Sequence, residues 1–141
     1  MKHCLTFIRR SREIKKMNYS GDFKKAKDLF YKAKEMDYAK SMGWIKIGLN
    51  LYEGKLYEEA LYAFQMVDKY LTDEKNPWHM GAWVWQGHIH DLTNNRKEAI
   101  NCYNKALTLS TGSGIQHGQF NLTIDENWIK ERLKLPFKGH N

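Results

Sequence analysis

Cysteine, proline and long apolar runs are all scarce in this chain. Its 141 residues include two cysteines, Cys4 and Cys102, and two prolines, Pro77 and Pro136. Two cysteines cannot build a disulfide framework, which points to a reducing compartment and a cytoplasmic location. So little proline leaves long stretches free to be helix. No apolar run approaches the ~20 residues that span a membrane, so no membrane partner is expected. Arginines follow the short apolar stretch at residues 5–8 at once, which is not the pattern of a signal peptide. Acidic residues are the scarcer charge, 16 Asp+Glu against 23 Lys+Arg. The deficit is local: residues 1–40 hold 12 basic and 5 acidic side chains, whereas residues 41–141 hold 11 of each. Any argument from basicity to an anionic partner therefore concerns one end of the chain.

A content of 42% hydrophobic and 13% aromatic residues excludes a disordered chain. The length suits a single domain that buries roughly two thirds of its unfolded surface. Two segments of it repeat. Trp44-Ile45-Lys46-Ile47-Gly48, then Leu51, Ala60 and Phe64, match Trp83-Val84-Trp85-Gln86-Gly87, then His90, Ala99 and Tyr103, position for position at one constant offset. A weaker third copy holds Gly21, Phe23, Ala26, Phe30 and Ala33, in which Ala26 precedes Ala60 by the same interval as Phe30 precedes Phe64. Each copy places apolar residues at helical spacing. Small Ala residues suit a close helix crossing, and Gly48 and Gly87 imply a close contact that offsets the ~1 kcal/mol cost of helical glycine.

This pattern resembles the tetratricopeptide repeat family, a 34-residue helix–turn–helix unit. The resemblance covers about residues 7–113 and is weakest in the first copy, where Arg10 and Ile14 replace the family's Trp and Gly. It implies an all-α fold: a short right-handed α-solenoid of three antiparallel helix pairs plus a C-terminal capping helix. One domain spans 1–141, with repeat one at about 7–40, repeat two at 41–79, repeat three at 80–113, and loop and cap at 114–141. The extra residues between repeats two and three fall in a polar stretch ending in Asn76-Pro77, a helix start with Asn76 as N-cap. Thr123 and Glu126 read as a capping box opening the last helix, after a loop through residues 110–122.

The resemblance also implies a non-catalytic protein–protein interaction module, binding a peptide, a helix or a second subunit along the inner face. The matching positions are Ile8, Ser11, Lys15, Asn18 and Tyr19 in repeat one and, as the expected binding residues, Met42, Ile45, Leu49, Tyr52, Val84, His88 and Asp91 in the other two, with Tyr52 and His88 supplying hydrogen bonds. The alternative is a groove filled by the chain's own N-terminal or C-terminal segment, or by a second copy. The carboxylate-gripping side chains of some family members are missing, since the corresponding positions are Ser11, Lys15, Lys46, Gly81 and Trp85. A second class of reading is a nucleic-acid-associated adaptor, using Arg9, Arg10, Arg12, Lys15 and Lys16 on phosphates and Tyr19, Tyr31 or Tyr38 for stacking. A third is an accessory repeat module of a bacterial hydrolase system, implied by the likeness of residues 132–139 to tails that close such modules.

No catalytic residue, cofactor or metal is expected. His88 and His90 are two residues apart on a helix and point in different directions, so shared ligation fails. Cys102 has no base that can be placed beside it and reads as a small buried thiol. Gly112-Ser113-Gly114 lacks the preceding strand and directly following helix of a nucleotide loop and reads as a linker. Trp44 and Trp83 occupy the repeat's core position. Trp78 and Trp85 do not, and are expected to close the inserted loop or mark a contact patch.

Overall fold

The structure is a computed structural model that describes residues 2–140, with side chains from residue 5 onward; Cys4 lies outside the described side chains. Three helix pairs follow one another: α1 (Lys2–Lys16) with α2 (Phe23–Glu35), α3 (Ser41–Glu53) with α4 (Tyr57–Tyr70), and α5 (Trp78–Leu92) with α6 (Arg96–Thr108). The main contacts run between helices adjacent in the chain, with α3 also touching α1. This is the stacking of an all-α solenoid.

The periodic residues explain the pairing. Ala60, Phe64, Ala99 and Tyr103 are fully buried. A Cβ on Gly48 would lie 3.0 Å from the Phe64 ring, and one on Gly87 2.5 Å from the Tyr103 ring. In both pairs the aromatic of the second helix therefore lies against the glycine of the first. Ile14, which replaces the glycine in the first pair, is itself fully buried. Buried Asn50 joins the first two pairs: its Oδ1 accepts from Asp22 N (2.8 Å), and its Nδ2 donates to the carbonyl oxygens of Asn18 and Lys46 (2.8 Å each). At the turn after α3 the left-handed residue is Lys55 (φ 62°), not Gly54. Gly54 instead makes room for Phe23, whose ring would lie 2.0 Å from a Cβ there.

The C-terminal quarter differs from the expected loop and cap. Residues 115–124 form an antiparallel hairpin, β1 (Ile115–His117) and β2 (Leu122–Ile124), pairing Ile115 with Ile124 and His117 with Leu122. A short 3-10 turn over Gly118–Phe120 and a left-handed Asn121 (φ 49°) connect them. Helix α7 (Glu126–Lys134) follows. Its cap is Asp125, whose Oδ1 accepts from Trp128 N at 2.8 Å, and not Thr123, which pairs within β2. The cap position of α5 is Pro77, one residue after the expected Asn76, whose Oδ1 still accepts from Trp78 N at 2.9 Å. Among the described residues, no helix is long and apolar enough to cross a membrane.

Candidate functional site

The inner face of the solenoid is carried by α3 and α5. Along α3 the spacing of Met42, Ile45, Leu49 and Tyr52 places them on one helical face, and Val84, His88 and Asp91 are spaced alike on α5. Met42 is 47% exposed. Ile45, Leu49, Tyr52, Val84 and His88 are buried, and the Asp91 side chain has no exposure. The cover over the α5 part is the chain's own C-terminal segment. Ile115 presses on the α5 backbone so closely that a Cβ on Gly81 would lie 2.4 Å from its Cδ1. Phe120 and His140 meet the Tyr52 ring edge-on at 5.6 and 5.7 Å. The Phe137 ring stacks on the His88 imidazole at 3.8 Å and 13°. Of the two sequence readings, an open groove and a self-filled one, the second holds over α5.

This cover accounts for the residues placed wrongly from sequence. Trp85, expected off the core, is fully buried. Its Nε1 donates to His117 Nε2 at 3.1 Å, and its ring stacks on Phe64 at 5.6 Å and 12°. Trp83, expected in the core, is half-buried and donates to Asp68 Oδ1 at 3.1 Å. The hydrogen bond foreseen from His88 to a partner is made within the chain: His88 Nε2 accepts from Trp128 Nε1 at 3.0 Å. That acceptor role puts the neutral ring's proton on Nδ1, which is buried without a hydrogen-bond partner.

Asp91 is the hub of the closed end. It receives Arg96 NH1 on both carboxylate oxygens at 3.1 Å, and its Oδ2 also accepts from Tyr103 OH at 2.7 Å and Phe137 N at 2.9 Å. Arg96 NH2 in turn donates to the carbonyl oxygens of Arg132 (2.7 Å) and Leu133 (3.1 Å). One ion pair thus binds α5, α6, the end of α7 and the tail together. Burial raises the Tyr103 hydroxyl pKa, and its hydrogen bond to Asp91 raises it further. Burial holds His88 well below the usual histidine range, helped by repulsion from His140, Arg132 and His117. Burial, with repulsion from His140, lowers His117 to about 4.

Beside α1 the same face is open. A cleft of about 480 Å³ lies between α1 and the start of α3. Its apolar floor includes Phe7, Ile8 and Met42, exposed by 45%, 46% and 47%. Arg12, Lys15, Lys40 and Lys46 line it too. The cleft thus unites four expected inner-face positions, Ile8, Ser11, Lys15 and Met42, with Arg12 of the basic patch, to which Lys15 also belongs. The rest of that patch lies elsewhere: Arg10 pairs with Glu13 at 3.3 Å and lines a separate cleft with Lys32 and Met36, while Arg9 and Lys16 are simply exposed. Of the candidate stacking residues, Tyr38 is buried and Tyr31 stands on α2, outside the cleft.

Among the described residues, no group of three His, Cys, Asp or Glu side chains could hold a metal ion. Cys102 is buried, and burial together with Glu98 and Asp91 pushes its thiol up to about 11, away from the reactive thiolate. The missed elements did leave a signal. Ile115-Gln116-His117 and Leu122-Thr123-Ile124 alternate apolar and polar positions on either side of a turn containing Gly118 and Asn121, which is the pattern of a hairpin.

Comparison with known proteins places a tetratricopeptide repeat family model on residues 81–111, which takes in nearly all of α5 and the whole of α6. No curated protein and no solved structure matches the chain.

Proposed function

We propose that the chain is a non-catalytic module that binds another protein at the cleft between α1 and α3, the role that its tetratricopeptide repeat match at residues 81–111 suggests. The observation that carries this reading is the asymmetry of the inner face. The repeat geometry that would receive a peptide over α5 is already filled by residues 115–140, while three large apolar side chains, Phe7, Ile8 and Met42, face solvent together in the cleft. A cluster of exposed apolar side chains rimmed by charge marks a contact surface.

A photo-crosslinking residue tests the placement. Introduced at Met42, it is expected to capture a partner from the native cell. Introduced at Tyr31, exposed on α2, it is expected to capture none. Equal capture from both positions, or none from either, removes the proposal. A crosslinked dimer of the chain would make self-association the form that the interaction takes.

A further inference from the structure

We propose that the segment bound in the α1–α3 cleft is an acidic amphipathic one, with apolar side chains that enter the floor and carboxylates that meet the rim. This deepens the reading given under Proposed function and rests on it. The first ground is charge. Arg12, Lys15, Lys40 and Lys46 line the cleft, and no carboxylate lines it with them. Of these four, Lys46 is engaged inside the fold, donating to Lys15 O at 2.7 Å and lying over the Tyr19 ring. Lys15 lies in the last turn of α1, where a cation also offsets the helix dipole. Arg12 and Lys40 have neither role, and they form no ion pair among the described residues. Many other lysines among the described residues also lack an ion pair; what sets Arg12 and Lys40 apart is that they share one cleft with exposed Phe7, Ile8 and Met42. Unpaired cations around a small cleft attract a carboxylate partner and speed its encounter.

The second ground is the floor. On α1, Ile8, Ser11, Arg12 and Lys15 follow the spacing of one helical face, so an apolar end grades into a cationic end along a single groove. On α3, Met42 and Lys46 stand one turn apart and repeat that gradient. A ligand that satisfies both must itself pair apolar and acidic residues along its length. A nucleic acid would use the cations and gain little from Ile8 and Met42, and the cleft offers it a single open ring, Phe7, since Tyr38 is buried, where a run of stacked bases needs several.

Fluorescence anisotropy with synthetic probes tests this. The probe is a labelled helix-forming peptide of roughly four turns, with leucines on one face and glutamates beside them. Three controls accompany it: glutamates replaced by lysines, leucines replaced by serines, and a single-stranded RNA of equal charge. The full-length protein is expected to bind the acidic leucine peptide at least about tenfold more tightly than any control. Arg12→Glu with Lys40→Glu, and separately Ile8→Ser with Met42→Ser, are each expected to weaken it by about tenfold or more; tenfold corresponds to about 1.4 kcal/mol. All four positions are at the surface, and unchanged circular dichroism verifies that the variants fold. Equal binding of the serine peptide or the RNA would show that charge alone is recognised and overturn the proposal. So would failure of the acidic peptide to bind. If position 42 still crosslinks a partner in that case, the cleft remains the contact surface and only the acidic chemistry falls; if it does not, both fall.

Discussion

Over α5 the inner face of the solenoid touches the chain's own hairpin and tail, whereas beside α1 it opens to solvent. The same helix-pair unit produces both surfaces, so the difference comes from what lies across them. At the C-terminal end, Ile115, Phe120, Phe137 and His140 take the place that an extended ligand would occupy, and Asp91 binds the tail's backbone at Phe137 N. The N-terminal end has a basic rim and half-exposed Phe7, Ile8 and Met42. Here one end is covered and the other is charged.

The two ends are therefore expected to respond differently to substitution. The largest effect belongs to Trp85→Ala, which removes a fully buried indole from between Phe64 and the hairpin; a loss of about 4 kcal/mol is expected in urea denaturation. Phe137→Ala should cost about 3 kcal/mol and, more tellingly, should speed amide hydrogen exchange in α5 while leaving α3 little changed. If exchange in α5 stays as slow as before, the tail is not what closes that end. Asp91→Asn weakens four hydrogen bonds to one carboxylate and is expected to lower stability by about 2 kcal/mol. At the open end, Arg12→Gln or Ile8→Ser should change stability by no more than about 0.5 kcal/mol, because these side chains hold nothing together. A large loss from either would mean that the cleft is structural.

Acid should act on the closed end alone. His88, His117 and His140 all have folded-state pKa values below the ordinary 6.5. Above pH 6.5 they are neutral both folded and unfolded, and through them stability does not vary with pH. As the pH falls below 6.5 the unfolded chain takes up protons that the folded chain refuses until about 4 at His117, so stability falls through that window. The melting temperature is expected to drop between pH 6.5 and 4, and His117→Gln should flatten the slope. A wild-type profile with no slope there would mean that these rings are solvated.

The repeat pattern made the three helix pairs legible, because a local period of apolar residues and a glycine matched to an aromatic act within one pair. Gly87 and Tyr103 report the same crossing that Gly48 and Phe64 do. The closed end was not legible in this way. Trp85 falls outside the repeat's core positions and is buried only because His117, far along the chain, meets it. Three-residue strands carry little periodic signal, so Thr123 read as a helix cap until its pairing with Gln116 placed it in a strand and moved the cap to Asp125. Met42 and Arg12 were each visible as candidates, for a groove and for a basic patch; nothing in the sequence said that they share one cleft.

The amino-acid order alone thus determined the helices, their pairing and the concentration of positive charge before α3, since propensity, period and charge are properties of nearby residues. Tertiary structure alone decided which part of the inner face is free. That depends on where the segment from Ile115 to His140 settles. Its position is held by contacts such as Phe137 on His88 and Phe137 N on Asp91, which join distant parts of the chain and leave no trace in any local pattern.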